Sequence, residues 1–519
     1  MRRSRFLSPI LSLLAPVLLV AGPIAAQAKP AAPDLKGVDQ VITAMMAEFH
    51  VPGLGVGIIR DSQVVLAKGY GYRDLEAKVP ATPRTLFAIG SNSKSFTATL
   101  LAMLVDEGKI DWRKPVRTWL PDFELYDDYA GRNMTPMDLV SHVSGLPRHD
   151  ALWYGRAFSR DQIFHKLKYL EPSTSFRNIW QYNNLMFLSA GVLIERVTGK
   201  SWEEQVRGRI FTPLGMDRAT TSVTDMARSD DFSWAYDYKD GKVIRIPFRS
   251  LDAVGPAGAI NASVDDMLKY VRFRMHFGQW AGKQLVSAQQ DSLMQTGRAV
   301  VPGGWTFQGV PEMGPASTYG LGLAVVGYRG HKLVIHGGGI DGFISQMAWL
   351  PEEKIGVVIL SNTGNSGGGG NPLPNALALY LMDRMLGLAP LDWAGKAHEQ
   401  AVSADSSEKA DRAAELKTRV AGTSPSHPLD DYVGKYEDVA YGILEIRRGT
   451  QGLELALDDL KTPLEHVHYD VFAIAPGAPM IEGRITFGLD EKGAIGSVSV
   501  PMDHSVKPIV FTRVAPPKP

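Results

Sequence analysis

The sequence predicts an α+β fold, with one antiparallel sheet built from both ends of a large domain and flanked by helices, and a small all-β barrel-like domain at the C-terminus. Strand-like runs stand near the start of the chain, a long and mostly helical stretch follows, and strand-like runs return near Tyr319. Strands at both ends of a helical stretch imply one sheet assembled from distant parts of the chain. A second group of short alternating runs begins after Pro428 and predicts the separate β domain.

Composition bounds the classes of function. The chain has 519 residues, 45% of them hydrophobic and 21% charged, which is ordinary for a globular protein of two or three domains. Lys+Arg and Asp+Glu both total 55, so the charge balance gives no indication of binding to nucleic acid or to an anionic membrane surface. The absence of cysteine excludes disulfides, a cysteine nucleophile and thiolate metal sites. We expect a small molecule or a short peptide as the partner.

Residues 1–28 have the features of a secretory signal peptide. Three arginines precede a mostly apolar stretch from Phe6 to Val20, and Ala26-Gln27-Ala28 is a small-residue cleavage site. The apolar stretch is shorter than the roughly 20 residues that span a bilayer, and Pro9 and Pro16 interrupt it. We therefore expect cleavage after Ala28 and a periplasmic or secreted mature chain without a membrane span.

Residues 29–390 are expected to form the large domain. Two β-type runs, Leu54 to Arg60 and Gln63 to Tyr70, flank an Asp61-Ser62 turn and predict a hairpin. Near its end, four further runs predict an antiparallel meander, which a helix from Asn375 to Leu386 follows. These runs are Gly320 to Tyr328, Lys332 to His336, Phe343 to Leu350 and Ile355 to Ser361.

Two further regions complete the chain. Residues 391–427 are rich in Ala, Ser and charged residues, which indicates an exposed helical linker. Residues 428–519 are expected to form the small β domain. Its clearest strand-like runs are Gly442 to Arg447, Leu453 to Leu457, Arg484 to Leu489 and Pro508 to Val514.

Ser91 and Lys94 are the residues that predict the catalytic chemistry. They stand at the head of a predicted helix, whose apolar residues recur at helical spacing and which ends at Gly108. Residues three apart on a helix face the same way, which brings the lysine amine near the serine hydroxyl. A desolvated lysine can accept the proton that serine must lose to become a nucleophile. The spacing alone is weak evidence, because Ser406 and Lys409 repeat it in the linker.

Two other motifs accompany this pair. Tyr182-Asn183-Asn184 precedes a helical run, where a tyrosine is by itself more often a packing residue. His336-Gly337-Gly338-Gly339 ends an apolar strand, where glycines let a ligand approach the backbone and a free N–H can face an oxyanion. A chance counterpart, His276-Phe277-Gly278, is expected to be an ordinary helix end.

The three motifs, in the order Ser-x-x-Lys, Tyr-x-Asn, His-x-Gly, resemble those of the serine β-lactamase and penicillin-binding-protein superfamily. The likeness is to the branch of class C β-lactamases, D-alanyl-D-alanine carboxypeptidases, D-aminopeptidases and esterases (S12-type serine peptidases). It covers about Val38 to Leu388 and extends to shorter landmarks, including Ser141-His142-Val143-Ser144-Gly145-Leu146 and Pro256-Ala257-Gly258. The C-terminal domain is similar to the lipocalin-like domain of some D-aminopeptidase relatives, where it limits access to the cleft or mediates homo-oligomer assembly.

The resemblance implies a role for each motif residue. Ser91 is the expected nucleophile, Lys94 its activating partner, and Tyr182 the shuttle that deprotonates Ser91 and protonates the leaving group. His336 is expected to support the Tyr182 proton, and Asn184 to bind substrate and orient Lys94. Gly337 and Gly338 are expected to line the substrate site, and the N–H groups of Ser91 and Gly339 to form the oxyanion hole. The resemblance implies neither a metal nor a cofactor.

One departure from the family pattern bears on the substrate. Many relatives that bind β-lactams carry a threonine where this chain has Gly337, so the hydroxyl that binds a substrate carboxylate is missing. The leading hypothesis is a peptidase or amidase for short peptides, including peptides with D-residues, and the first alternative is a carboxylesterase for short acyl esters. A β-lactamase or D-Ala-D-Ala carboxypeptidase and a non-catalytic penicillin-binding-like sensor stay open.

Overall fold

The computed structural model describes residues 35–305, 307, 310–314, 316–364, 370–450, 452–475 and 480–515. The predicted signal peptide lies outside these residues. Six long helices are α1 to α6, and they span Val38–Glu48, Ser93–Asp106, Asn184–Thr198, Val264–Met275, Leu373–Leu386 and Trp393–Lys417. None of the described helices combines the length and the apolar character that crossing a bilayer requires.

The large domain is built on a nine-stranded antiparallel sheet. In chain order its strands β1 to β9 are Gly53–Arg60, Gln63–Asp74, Val79–Pro80, Ala299–Val300, Ser317–Tyr319, Ala324–Tyr328, His331–Ile340, Phe343–Leu350 and Ile355–Ser361. Their order across the sheet is β4-β5-β6-β7-β8-β9-β1-β2-β3. The first and last long strands pair directly, with Leu54 opposite Ser361. This confirms the prediction of one sheet assembled from both ends of the domain.

The sheet is covered on both faces, which explains why its central strands are apolar throughout rather than alternating. Along β9, Val357 and Ile359 join a core with α1 and α5. Val358 and Leu360 face the other way and join a core with α2, α3 and α4. The side with α2 and α3 is where the predicted site residues lie.

The predicted run from Gly320 to Tyr328 is divided, and its first residues form a turn between β5 and β6. Gly322 takes a left-handed conformation, φ 73°, in this turn, and a Cβ there would lie 2.9 Å from the carbonyl oxygen of Lys94. Leu321 and Leu323, on either side of Gly322, are therefore buried in the core that contains α2 rather than paired in a strand. The chance motif at His276 follows the last residue of α4, the helix end that the sequence predicts.

The C-terminal domain is a closed barrel of eight antiparallel strands, which confirms the predicted all-β class. Strands β10 to β17 span Gly434–Asp438, Gly442–Arg448, Leu453–Leu457, Leu460–His468, Val471–Ile474, Arg484–Leu489, Ile495–Val500 and Ile509–Arg513. Strand β13 alternates buried and exposed residues over most of its length, as a strand with one inward face must. The buried side chains include Tyr436, Leu444, Leu455, Phe472, Phe487 and Phe511.

Shorter elements connect this framework. The short helices of the large domain are Asp128–Asn133, Pro136–Leu139, Arg160–Lys166, Trp202–Val206, Thr212–Leu214, Val223–Met226, Gly255–Gly258 and Ala288–Met294, and Leu429–Tyr432 precedes the barrel. Three two-stranded pairs join Phe87–Ala88 to Asn261–Ala262, Ala235–Lys239 to Lys242–Ile246, and Gln279–Trp280 to Lys283–Gln284.

Candidate active site

Ser91 lies in a tight 3-10 turn, Gly90–Asn92, that leads directly into α2. The Ser345 hydroxyl of β8 donates to the Ile89 carbonyl at 2.8 Å and accepts from the Asn92 amide at 2.8 Å. Gly90 has φ 50°, and a Cβ there would lie 2.7 Å from the backbone nitrogen of Gly339. The serine turn is therefore held against the glycine segment of β7, at a distance that only glycine permits.

Lys94 is completely buried, one turn into α2 from Ser91. Its Nζ lies 2.9 Å from Ser91 Oγ, 2.7 Å from Asn184 Oδ1 and 2.9 Å from the carbonyl oxygen of Ala257. Burial lowers the pKa of Lys94 well below its usual range, and the positive charge of Arg148 lowers it further. The buried amine is therefore shifted toward its neutral form.

The partners of Lys94 determine where a neutral amine directs its lone pair. An uncharged amine has two N–H donors, and the amide oxygen of Asn184 and the carbonyl of Ala257 can only accept. With both N–H groups used, the lone pair is left for the remaining neighbour, the hydroxyl of Ser91. This is the arrangement that a general base for Ser91 requires.

Asp150 fixes the orientation of the Asn184 amide. Its Oδ1 accepts from Asn184 Nδ2 at 3.0 Å, and from Trp153 Nε1 at 2.7 Å. A carboxylate accepts but does not donate, so the NH2 group of Asn184 must face Asp150 and its oxygen must face Lys94. The second carboxylate oxygen of Asp150 accepts from Arg148 Nε at 2.6 Å.

Tyr182 stands just before α3, and its side chain lies beside that of Ser91. Burial raises the pKa of Tyr182 to about 12, so the phenol keeps its proton at neutral pH. Its ring lies 4.3 Å from the His142 ring and 5.1 Å from the guanidinium carbon of Arg148. The Lys94 amine lies 4.7 Å from the ring centre, so Ser91, Lys94 and Tyr182 form one compact group.

His336 is fully buried on β7. Its ring is hydrogen-bonded to Tyr319 and to the backbone of Gly337 rather than to Tyr182. Its Nε2 lies 3.0 Å from the Tyr319 hydroxyl, and its Nδ1 lies 2.6 Å from the carbonyl of Gly337. Burial, and then the positive charge of Lys94, lower the pKa of His336 to about 3, so its imidazole is neutral. The Tyr319 ring lies 4.7 Å from the His142 ring, which in turn stacks on Tyr182. The role of His336 toward the Tyr182 proton stays a prediction.

The three glycines after His336 have different surroundings. A Cβ at Gly338 would lie 1.9 Å from the Ile89 carbonyl oxygen, so this residue forms the contact between β7 and the serine turn. Gly339 is exposed beside that turn, and Gly337 is partly exposed. The strand therefore brings bare backbone next to Ser91, while the predicted oxyanion hole at Ser91 and Gly339 remains a prediction.

Three residues of this site are absent from the sequence-based prediction. His142 belongs only to a landmark, and Arg148 and Asp150 lie outside the three motifs. A local signal was available, because Arg148-His149-Asp150 is a group of three ionisable residues directly after that landmark. Ala257, from the Pro256-Ala257-Gly258 landmark, is now explained as an acceptor for Lys94.

Comparison with known proteins gives the family. The profile of the family described as Beta-lactamase matches residues 38–382, and a domain family of unknown function (DUF3471) matches residues 418–513. The chain is 31% identical to Unguisins hydrolase ungD' of Aspergillus campestris over 429 residues, which cover 78% of this chain and 76% of that protein. It is 26% identical to Protein flp of Staphylococcus aureus, over 63% of this chain and 62% of that protein.

Solved structures share the fold. The octameric penicillin-binding protein homologue from Pyrococcus abyssi superposes with a TM-score of 0.59 and 24% identity, over 92% of this chain and all of that one. The D-stereospecific amidohydrolase from Streptomyces has a TM-score of 0.55 and 24% identity, over 69% of this chain and all of that one. With the matched profile spanning most of the large domain, the chain belongs to the β-lactamase family of serine hydrolases.

Proposed function

We propose that the chain is an exported peptidase or amidase that hydrolyses short peptides through an acyl-enzyme on Ser91. The observation that carries the proposal is the hydrogen bonding of Lys94, whose two acceptor-only partners leave its lone pair for the Ser91 hydroxyl. The phenol of Tyr182 lies beside the same group, with its ring centre 4.7 Å from the Lys94 amine. One serine thus has a base and an acid beside it, which acyl transfer to and from an amide requires.

The proposed acylation step uses these groups in turn. Ser91 Oγ attacks the substrate carbonyl carbon while its proton passes to Lys94. The N–H groups of Ser91 and Gly339 bind the resulting oxyanion, and each such donor typically contributes about 3 to 4 kcal/mol to the transition state. As the C–N bond breaks, Tyr182 donates its proton to the departing nitrogen and recovers one from Lys94. Water then attacks the acyl-enzyme and releases the acid and free Ser91.

The state of Tyr182 favours amide over ester substrates. An amine leaves only with a proton, whereas an activated alkoxide or phenolate leaves without one. A phenol with a pKa of about 12 holds its proton at neutral pH and is placed to deliver it. A curated relative is named an unguisins hydrolase, and a D-stereospecific amidohydrolase has the same fold, so peptides with D-residues belong in the first substrate screen.

Ester hydrolysis is the second candidate, and Gly337 favours it. This residue offers no hydroxyl to a substrate carboxylate, and the exposed Gly339 beside it leaves the strand open. Matched p-nitroanilide and p-nitrophenyl ester substrates separate the two candidates. A peptidase should turn over the anilides of short peptides with a kcat/KM that an esterase does not approach.

Ser91→Ala tests the proposal, with Ser406→Ala as the matched control. Ser406 has the same spacing to a lysine, but it is exposed in α6 and its hydroxyl donates to the Val402 carbonyl. Ser91→Ala should lose hydrolysis of every substrate and the adduct with a fluorophosphonate probe, measured by intact mass spectrometry. Ser406→Ala should keep both. Undiminished hydrolysis by Ser91→Ala would refute the proposal, and a wild-type chain that acquires no adduct would favour a non-catalytic sensor.

The remaining alternatives have direct readouts. Stable labelling by a fluorescent penicillin would favour a β-lactamase or carboxypeptidase. Export is tested by N-terminal sequencing of the mature chain, which we expect to begin after Ala28, and by its recovery from the periplasm or medium. Assembly through the barrel is tested by light scattering.

A further inference from the structure

The segment Arg148-His149-Asp150 crosses between the Ser91 site and the C-terminal barrel. The His149 ring is completely buried, and its Nδ1 lies 2.7 Å from the hydroxyl of Tyr441, between β10 and β11. The backbone N–H of His149 donates to Asp503 Oδ2 at 2.9 Å, and Asp503 lies between β16 and β17. Its Nε2 lies 3.2 Å from the carbonyl of Glu171. Two turns of the barrel thus hold the middle residue of the segment.

The backbone of His149 is in a conformation that needs such support. Its φ of 46° and ψ of 37° are left-handed, a region that residues other than glycine adopt only at a cost in free energy. Such strain persists where the surroundings fix the conformation. The contacts with Tyr441 and Asp503 supply that fixation from a part of the chain about 300 residues away.

The residues on either side of His149 face the catalytic group. Arg148 lies over the Tyr182 ring, with its guanidinium carbon 5.1 Å from the ring centre. Asp150 accepts from the amide of Asn184, which orients the oxygen that Lys94 contacts. Arg148 and Asp150 are also paired with each other at 2.6 Å. A shift of the segment would therefore alter both partners of Ser91.

We propose that Tyr441 and Asp503 are positioning residues of the active site, through which the C-terminal barrel holds Arg148 and Asp150 against the groups that act on Ser91. The inference rests on the proposed serine hydrolase mechanism. It gives the barrel a function within its own chain. Cleavage of peptide or ester then depends on the barrel even though none of its described residues is hydrogen-bonded to Ser91, Lys94 or Tyr182.

The same interface provides a matched control in Asp458. Its carboxylate accepts from Arg156 Nε at 2.8 Å and from the Ala157 N–H at 3.1 Å. It therefore joins the barrel to the same loop of the large domain, a few residues beyond Asp150. Within the described part of the chain, the side-chain hydrogen bonds of Arg156 and the N–H of Ala157 reach the barrel, and the backbone N–H of Arg156 donates to Trp153. Neither residue is hydrogen-bonded to Ser91, Lys94, Tyr182 or Asn184 there. An equal loss of activity on substitution of Asp458 and of Asp503 would therefore reflect docking of the two domains alone.

The experiment compares Asp503→Ala, Tyr441→Phe and Asp458→Ala in the full-length chain, with a p-nitrophenyl ester as substrate and thermal unfolding as the test of integrity. Residues that support a catalytic group typically contribute about 10 to 100-fold. We expect Asp503→Ala and Tyr441→Phe to lower kcat by at least about 10-fold with KM changed by less than about threefold. Asp458→Ala should keep kcat within about threefold. Asp503→Asn, whose amide oxygen can still accept from His149, should recover most of the loss.

Two results would overturn the inference. One is a kcat near the wild-type value in both Tyr441→Phe and Asp503→Ala, and the other is an equal loss in Asp458→Ala. Tyr441→Phe removes a single hydroxyl and decides the matter alone where Asp503→Ala does not fold. The proposed function fails separately, because it fails only when Ser91→Ala remains active.

Discussion

Gly338→Ala should inactivate the enzyme, although it adds one methyl group to a residue with no predicted chemical step. Its Cβ would lie 1.9 Å from the Ile89 carbonyl oxygen and 2.8 Å from Ser345 Oγ. Because real Cβ atoms hardly ever approach another atom within 3.0 Å, β7 and the serine turn must separate by about 1.1 Å. The Ile89 oxygen belongs to the backbone and already accepts from Ser345, so rotation of a side chain cannot relieve the contact.

A displacement of about 1 Å between catalytic groups costs on the order of 100-fold in rate, or about 2.7 kcal/mol. We expect this loss in kcat/KM, measured on a p-nitrophenyl ester and as the labelling rate with a fluorophosphonate. Overpacking should also lower the free energy of unfolding by about 1 to 3 kcal/mol, which a urea titration measures.

Gly337→Ala is the matched control, one residue earlier on the same strand. Its Cβ would lie 3.2 Å from Gln346 Oε1, the end of a flexible side chain. Activity should stay within about threefold of the wild type, since the contact is relieved by a shift of a few tenths of an ångström, which Gln346 can make while its amide still donates to the His336 carbonyl. Equal activity in the two variants, or a folded Gly338→Ala with more than a third of the wild-type rate, would show that the contact between β7 and the turn does not set the geometry.

Four further predictions concern charges and protons. The kcat/KM should fall as pH falls through the lowered pKa of Lys94, because the protonated amine has no lone pair for Ser91. Arg148→Met removes a charge that lowers this pKa, so the acid limb should move to higher pH, by less than about one unit because 54% of the Arg148 side chain is exposed and screened by salt. Tyr182→Phe should lower amide turnover by about 100-fold or more and ester turnover less, as paired p-nitroanilide and p-nitrophenyl assays would show. Arg274→Met should lower the free energy of unfolding, measured in urea, by about 3 to 5 kcal/mol. Asp291 is completely buried and lies 2.7 Å from Arg274 Nε in the wild type, and the substitution leaves it without a counter-charge.

The features that the sequence predicted are those with local signals. Ser91 and Lys94 are three residues apart in one helical segment, so helix geometry alone brings their side chains together. The hairpin of β1 and β2 and the turn at Arg329-Gly330 also follow from adjacent residues, and both turn residues have positive φ in the structure. The pairing of the first long strand with the last was predicted because short apolar runs stand at both ends of the large domain.

The features that the sequence missed depend on distant contacts. Asp150 acts on Asn184, 34 residues away, and His149 contacts Tyr441, 292 residues away. A single sequence has no periodicity that links such pairs. Strands β10, β14 and β16 were also missed, and β13 was not given bounds. In β13, Pro463 interrupts the run, and the inward position between Leu460 and Leu464 is occupied by the polar Thr462, so the alternation is weak in the sequence.

The orientation of one amide connects these distant contacts to the chemistry. Asn184 has an oxygen and an NH2 group of nearly equal size, and nothing in its shape decides which faces Lys94. If the NH2 group faced Lys94, a neutral amine would have to accept from it, and the lone pair that Ser91 needs would be occupied. The carboxylate of Asp150, which can only accept, excludes that arrangement. In the proposed mechanism, proton transfer from Ser91 therefore depends on where Asp150 is held, and hence on the left-handed His149 and the barrel turns that contact it.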